Sequence, residues 1–260
     1  MKIAFFDSGL GGLSVLYTAR QMMKSGELIF YADRDHVPYG TKTTAEVMDF
    51  VAEAFDFLAA EGAQAIVVAC NTATSVAAEE MRRRYDFPII GMEPAVKKAL
   101  DADASRRVLT AATPITVRGQ KMQSLLGRVD KAHLVDLLPL PKLVEFAERL
   151  EFDSPAVRKY LSDKLADYDL SRYSSLVLGC THFNYFKDTL RGLLPDTMRL
   201  TDGNEGTVRE LLRRLPKAGG EKNANSSVGY FYSGRPVTDE RELSRLQTCL
   251  TRLAAMDKII

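Results

Sequence analysis

Nine short apolar runs, separated by longer segments, constrain the fold of this 260-residue chain more than any other feature of its sequence. The runs are rich in Val, Ile, Leu and Phe, and most lack the in–out alternation of a strand with one solvated face. Such runs are typical of strands that are buried on both faces of a parallel sheet. The predicted strands are Lys2–Phe6, Leu28–Ala32, Ala65–Ala69, Pro88–Gly91, Arg107–Ala111, Ala132–Leu137, Ser175–Gly179, Met198–Leu200 and Val228–Ser233.

The segments between the runs have the periodicity of amphipathic helices. Within residues 44–61 and again within 239–254, apolar side chains recur at spacings of three and four, which places them on one stripe. Strands that alternate with helices through right-handed crossovers form a mostly parallel sheet flanked by helices. The sequence therefore predicts a protein of the α/β class.

Two such sheets fit the chain better than one. A fresh strand–helix series begins near Arg107 and another resumes after residues 200–206. We therefore predict a first α/β lobe from residues 1–94 together with 204–260, and a second from residues 95–203. Residues 216–227 contain Gly, Lys, Asn and Ser with little apolar content, which predicts a mobile surface loop.

Composition excludes several classes of function. The net charge of +1 provides neither a basic surface for nucleic acid nor an acidic tail. No apolar run reaches the length of a membrane span, and the N-terminus turns polar too early for a signal peptide. Three cysteines, an odd and sparse number, predict reduced thiols in the cytoplasm. Cysteine and histidine spacing matches no zinc motif, so we expect no metal.

Two of the cysteines occur in matching local settings. Cys70 follows the predicted strand 65–69, and Cys180 follows the predicted strand 175–179. In open parallel sheets, ligands bind beyond the carboxyl ends of the strands. A helix that begins at each cysteine would favour the thiolate and lower the thiol's pKa. Buried, inert cysteines are the alternative interpretation, but the repeated setting favours a function.

Short polar side chains follow both cysteines. Asn71 and Thr72 come after Cys70, while Thr181 and His182 come after Cys180. Such residues are ordinary helix caps. Caps, free N–H groups and the helix dipole together also form an anion site. Two facing sites of this kind would hold a ligand with more than one carboxylate.

Two further stretches are predicted at the same sheet edge. In "FFDSGLGG", a strand ends at Asp7 and Ser8 precedes a Gly-rich turn that matches neither dinucleotide nor P-loop spacing. The charge of Asp7 would repel phosphate and suits a place beside a proton-transferring group, although a helix cap is the simpler interpretation. In "VPYGTKT", Tyr39 and Gly40 follow Pro38 in a rigid turn.

Two thiols on opposite sides of one substrate would invert a stereocentre. One removes a proton from the carbon and the other delivers a proton to the opposite face, with roles exchanged in the reverse direction. Asp7 is placed to assist Cys70, and His182 is placed to assist Cys180. An alternative interpretation is a hydrolase or lyase that uses Cys180 and His182. That interpretation leaves Cys70 unexplained.

Several blocks resemble those of the glutamate racemases in the aspartate/glutamate racemase superfamily, in the same order along nearly the whole chain. The matching blocks are "FDSGLGGLSVL", "VPYGTKT", "VACNTAT", "IIGMEPAV", "LVLGCTHF" and "FYSG". The resemblance implies two pseudo-symmetric lobes, with the active site in the cleft between them. It also implies an isomerase that interconverts L- and D-glutamate without cofactor or metal and supplies D-glutamate for peptidoglycan, cell wall and cell shape. Members of the family often form homodimers.

The resemblance also assigns residues. It places the catalytic residues at Cys70, Cys180, Asp7 and His182. The substrate-binding positions it implies are Asp7, Ser8, Tyr39, Gly40, Asn71, Thr72, Thr116, Thr181 and His182. Within "PLPKLVEF", Glu145 is expected to pair with His182 in a second shell.

Three positions depart from the family pattern. Arg34 follows Asp33 where Ser is common, Ala112 stands in a usual Gly-Thr turn, and Asn184 replaces a Pro after "THF". These departures leave substrate selectivity open. The alternatives are an aspartate racemase or a related two-cysteine enzyme, and a non-catalytic binding homologue.

Overall fold

A computed structural model describes residues 1–23, 26–92, 95–215 and 227–259 of the chain. In these residues, ten strands form two separate sheets. The strands are β1 (Lys2–Asp7), β2 (Glu27–Ala32), β3 (Ala65–Val68), β4 (Ile89–Gly91), β5 (Arg107–Ala112), β6 (Val135–Pro139), β7 (Tyr173–Leu178), β8 (Arg199–Thr201), β9 (Val228–Tyr232) and β10 (Arg235–Pro236).

The six-stranded sheet has the order β10-β9-β2-β1-β3-β4, and the four-stranded sheet has the order β6-β5-β7-β8. Every pair is parallel except the β9–β10 hairpin. β3 and β7 are buried along their whole length, because helices cover both faces of their sheets. The predicted α/β class with mostly parallel sheets is confirmed.

Twelve α-helices connect and cover the strands in the described part of the chain. They are α1 (Leu13–Met22), α2 (Thr44–Ala60), α3 (Asn71–Val76), α4 (Ala78–Arg84), α5 (Val96–Ala102), α6 (Pro114–Arg118), α7 (Gln120–Val129), α8 (Pro141–Glu148), α9 (Pro155–Leu165), α10 (Lys187–Arg191), α11 (Asn204–Arg214) and α12 (Glu240–Met256). The stripes predicted in 44–61 and 239–254 correspond to α2 and α12. No helix in the described ranges combines the length and the apolar character that a membrane span requires.

All nine predicted strands form, and one strand is added; the start of β6 is displaced the furthest from its predicted position. β6 begins at Val135 rather than Ala132, because the Asp130 carboxylate accepts the N–H groups of Leu134 and Val135 and holds the preceding residues in a turn. The additional strand, β10, was not predicted. It arises from a tight hairpin in which Ser233 and Gly234 both have positive φ. Residues 216–226, almost all of the predicted mobile loop, lie outside the described residues.

The C-terminal part of the chain returns to the first sheet. β9 pairs with β2 in parallel register, from Leu28–Val228 to Ala32–Tyr232. The predicted lobe boundaries at residues 94 and 203 remain a prediction. One continuous apolar cluster nevertheless includes core residues of both sheets, such as Phe5 and Leu176.

A buried 3₁₀ segment, Thr181–Phe186, joins the two sheets. All six of its residues are buried, and it packs against α1, α8 and α12. The hydroxyl of Tyr185 in this segment donates a hydrogen bond to the backbone carbonyl of Leu10 at 2.7 Å. The segment that follows β7 is therefore anchored to the loop that follows β1, which brings the carboxyl ends of the two sheets together.

Candidate active site

Both predicted thiols line one small cavity between the carboxyl ends of the sheets. Cys70 follows β3 and Cys180 follows β7, and their exposed fractions are only 5% and 6%. The residues that line the cavity are Ser8, Pro38, Tyr39, Gly40, Cys70, Asn71, Thr72, Thr113, Val144, Cys180, Thr181 and His182. The strand ends of two different sheets thus bring together most of the predicted site.

Cys70 is the N-cap residue of α3. Its Sγ accepts the backbone N–H of Ala73 at 3.4 Å and lies 3.7 Å from Ser8 Oγ. The helix start was expected to lower the pKa of this thiol. That expectation is wrong for Cys70, because burial and the nearby Asp7 carboxylate raise the pKa by more than the Ala73 N–H lowers it.

Asp7 ends β1 and is fully buried between the two sheets. Ser8 Oγ donates to its Oδ1 at 3.1 Å, and Thr181 Oγ1 donates to its Oδ2 at 2.8 Å. Burial raises the pKa of Asp7, although the His182 charge and these hydrogen bonds oppose the rise. Asp7 therefore bonds both to Ser8, which contacts Cys70, and to Thr181, which follows Cys180.

His182 lies between the second thiol and a carboxylate. Its Nδ1 is 3.7 Å from Cys180 Sγ, and its Nε2 is 2.7 Å from Oε1 of Glu148. Burial alone would lower the pKa of His182, but the contacts with Cys180 and Glu148 outweigh burial and raise it well above its usual value. The N–H of Gly11 also lies 3.2 Å from Nε2. Because the contact with Glu148 is shorter and joins opposite charges, we assign Nε2 as the donor.

Glu148 takes the place expected for Glu145. Glu145 is exposed, whereas the Glu148 carboxylate accepts from His182 and from the Leu10 N–H at 2.7 Å. Burial opposes ionisation of Glu148, but these hydrogen bonds and the His182 charge lower its pKa below the usual value. The predicted Glu145–His182 pair is therefore wrong.

Helix phase explains why Glu148, and not Glu145, reaches the site once the packing of α8 is known. Residues four apart share a face of a helix, and Glu148 is four residues after Val144, which lines the cavity. Glu145 is one residue after Val144 and points away from that face. The resemblance identified the right helix but chose a carboxylate on the wrong side of it.

Three buried threonine hydroxyls cluster beside the cavity, and two of them, on Thr72 and Thr113, line it. Thr72 Oγ1 lies 3.0 Å from Thr113 Oγ1 and 3.3 Å from Thr116 Oγ1, and the last two are 2.9 Å apart. Thr72 is the second residue of α3 on the first sheet, while Thr113 and Thr116 follow β5 on the second. Thr116 was predicted as a site residue, but Thr113 was not.

The turn at Tyr39 and Gly40 contributes mainly backbone to the cavity. The Tyr39 hydroxyl donates to Asp33 at 2.6 Å, and Asp33 also accepts from Ser233 Oγ at 2.9 Å, so that hydroxyl is held outside the cavity wall. A Cβ on Gly40 would lie 2.8 Å from Thr113 Cβ. Only glycine fits there without displacement of the threonine.

Asn71, the first residue of α3, also lines the cavity. Its Oδ1 is buried and makes no hydrogen bond to any described residue. A buried acceptor without a partner is costly. This oxygen is therefore available to a donor group of a ligand.

These features define a class of protein: a two-sheet α/β protein in which two thiols line one cavity between the sheets, each beside its own acid–base group. A general acid and a general base on opposite sides of one small molecule are the requirement for moving a proton across a carbon centre.

Comparison with known proteins agrees with this class. The family model described as Asp/Glu/Hydantoin racemase matches residues 14–211. The glutamate racemase of Campylobacter curvus is 51% identical over all of both chains. The crystal structure of glutamate racemase from Campylobacter jejuni has a TM-score of 0.81 at 25% identity, over all of both chains. The chain belongs to the Asp/Glu/Hydantoin racemase family.

A further structure is informative because of what it contains. Escherichia coli glutamate racemase, in complex with L-glutamate and the activator UDP-MurNAc-ala, has a TM-score of 0.81 and 26% identity. The match covers 97% of this chain and 94% of that one. The fold that surrounds the two thiols is therefore shared, over nearly all of both chains, with a protein that binds an amino acid.

Proposed function

We propose that this chain is a glutamate racemase that moves the α-proton of glutamate between Cys70 and Cys180 without a cofactor. The observation that carries the proposal is that both thiols line one cavity, with Asp7 near the first and His182 beside the second. Two thiols with separate acid–base partners can serve as the base and the acid of a reaction in which one face of the carbon loses a proton and the other gains one.

The two thiols have different charge environments. Beside Cys180, the His182 imidazolium, paired with Glu148, provides the positive charge that a thiolate at this position requires. Burial and the Asp7 charge keep the proton on Cys70, because they raise its pKa. In this form Cys180 takes the α-proton of one enantiomer while Cys70 delivers its own proton to the opposite face. The reverse direction starts from the form in which Cys70 is the thiolate.

The substrate itself would complete the acid–base chemistry at Cys70. An α-ammonium group beside the Asp7 carboxylate would place a positive charge near the thiol and offset the burial that raises its pKa. The hydroxyls of Ser8, Thr72 and Thr181 and the N–H groups of the Tyr39–Gly40 turn would hold the two carboxylates. Exclusion of water would strengthen each of these contacts.

Access to the cavity requires movement. Both thiols are more than nine-tenths buried. Glutamate therefore enters only when the walls contributed by the two sheets separate, and it reacts when they close. The Tyr39–Gly40 turn, against the Thr113 wall of the other sheet, is the contact that must open.

Incorporation of deuterium at the α-carbon tests the class and the substrate together. The protein is incubated in D₂O with L- or D-glutamate, or with L- or D-aspartate, and without added cofactor. We expect exchange and racemisation of glutamate. Turnover of aspartate alone would make the chain an aspartate racemase, and exchange of neither would favour a non-catalytic homologue.

Substitution of each thiol tests the two-base assignment. We expect Cys70→Ser and Cys180→Ser each to abolish racemisation, while Cys249→Ser, at a buried cysteine of α12, retains it. If either of the first two variants kept near-normal turnover in both directions, that thiol would not be a catalytic base.

The cellular role and assembly follow from the same proposal. A glutamate racemase in the cytoplasm supplies D-glutamate to peptidoglycan synthesis and so supports cell wall and cell shape. We expect a homodimer, which light scattering of the purified chain would detect. A monomer at all concentrations would contradict that expectation without affecting the chemistry.

A further inference from the structure

Glu148, which pairs with His182, stands at an electrostatically unfavourable point of its helix. It is the last residue of α8. The C-terminus of a helix carries a negative partial charge, which disfavours a carboxylate there and favours a cation. The Glu148 side chain is only 13% exposed, so water screens this repulsion poorly. The Leu10 N–H holds the carboxylate directly, and a cation at this helix end would offset the remaining repulsion.

Arg245 of α12 supplies a cation at this helix end. Its Nη2 donates to the backbone carbonyl of Glu148 at 2.7 Å. This carbonyl belongs to the last turn of α8, where backbone acceptors lack partners within the helix. The guanidinium therefore fixes the end of α8 and places a positive charge where the helix dipole is negative.

Arg245 is itself held by an ion-pair chain that we call the arginine bridge, consisting of Arg34, Glu242 and Arg245. Glu242 Oε2 lies 3.4 Å from Arg245 Nε and 2.6 Å from Arg34 Nη1. The three side chains are 25–33% exposed. The Arg34 guanidinium also lies 4.8 Å above the ring of Tyr232 in β9. Arg34 is one of the positions that depart from the family pattern.

We propose that Arg245 is a positioning residue for the Cys180 half of the reaction, acting through Glu148 and His182, and that Glu242 and Arg34 hold Arg245 in place. This inference rests on the proposed racemase function, because it assigns the bridge to one of its two proton transfers. The links from Arg34 to Cys180 are all contacts within 4 Å: Arg34–Glu242, Glu242–Arg245, Arg245 to the Glu148 backbone carbonyl, Glu148–His182 and His182–Cys180. No link of this chain passes through Cys70 or Asp7.

Isotope effects distinguish the proton transfer at Cys180 from the proton transfer at Cys70. Enantiomers have equal free energy, so any variant lowers kcat/KM equally in both directions. If the step at Cys180 is slowed selectively, that step becomes rate-limiting. The effect of α-deuterated substrate on kcat/KM then rises for the enantiomer that Cys180 deprotonates and falls for the other.

The test compares Arg245→Met with Arg245→Lys and with Arg241→Met, an exposed arginine on the same helix. We expect Arg245→Met to lower kcat/KM about tenfold and make the two isotope effects unequal. Arg245→Lys should restore part of the loss, and Arg241→Met should match the wild type. Glu242→Gln, a milder change, should shift the isotope effects in the same direction even if Arg245→Met folds poorly.

A second readout does not depend on turnover. The chain has three histidines, so NMR of the imidazole groups can follow His182 through a pH titration. We expect His182 to lose its proton at lower pH in Arg245→Met, because Glu148 no longer sits at hydrogen-bond distance. Equal isotope effects together with an unchanged titration would overturn the inference. If the wild-type protein did not turn over glutamate, the proposed function itself would be overturned.

Discussion

Replacement of Glu148 by Gln removes a charge from the site and leaves its shape almost unchanged. The carboxylate makes a 2.7 Å hydrogen bond with a buried imidazolium. A hydrogen bond to a charged group contributes about 1.5–3 kcal/mol to stability. If this interaction acts fully in the transition state at Cys180, its loss lowers kcat/KM by roughly 10- to 150-fold.

The pH profile provides a second, signed expectation. Contacts with Cys180 and Glu148 raise the pKa of His182 well above its usual value, so the imidazolium persists through neutral pH and is lost only as the pH rises through that raised pKa. Without the Glu148 charge, the pKa of His182 falls, because burial is then opposed by fewer contacts. The alkaline loss of activity should therefore move to lower pH in Glu148→Gln.

Circular dichroism of glutamate solutions measures racemisation in both directions, across pH, for Glu148→Gln and for Glu145→Gln. Glu145 lies on the same helix but is exposed, so its variant carries the same charge change without the contact. If both variants behaved alike, or if Glu148→Gln kept the wild-type pH profile, the role assigned to the His182–Glu148 pair would be refuted.

Three further substitutions test other contacts. Asp7→Asn should make the α-deuterium isotope effects unequal in the sense opposite to Arg245→Met, because Asp7 acts on Cys70. Equal effects would contradict that pairing. Thr181→Val removes the 2.8 Å hydrogen bond to the buried Asp7 carboxylate. It should lower the free energy of unfolding, measured by urea denaturation, by about 1–3 kcal/mol. An unchanged denaturation midpoint would refute this contribution. Gly40→Ala places a Cβ 2.8 Å from Thr113 Cβ. It should lower kcat/KM for glutamate with little change in far-UV circular dichroism. Wild-type kinetics would show that the Tyr39–Gly40 turn moves away from Thr113 without cost.

Local sequence patterns predicted most of the fold, because a strand that is buried on both faces is a continuous apolar run in the sequence. The run that became β3 is continuously apolar because helices cover both of its faces, and that property is visible without tertiary information. The start of β6 was misplaced because a side chain, Asp130, holds the preceding turn through two backbone N–H groups. β10 is only two residues long, too short for any periodicity to appear.

The site was predictable where a residue's place follows from the end of its own strand. Asp7 ends a parallel strand, Cys70 and Cys180 each lie two residues after the end of one, and such ends meet at one edge of a sheet. Glu148 was missed because its role depends on which face of α8 meets the 3₁₀ segment 181–186, and that requires the packing of the two elements.

The sequence by itself determined the two parallel sheets and the repeated cysteine setting, because both follow from burial and polarity of neighbouring residues. Only the tertiary structure decided the charge state of the site. A helix start would favour the Cys70 thiolate, but burial beside Asp7 from another strand reverses that preference. Desolvation and the Asp7 charge affect the pKa of Cys70 more than the local helix dipole does. The groups that supply them are distant in the chain and adjacent in space, so the sequence alone does not reveal them.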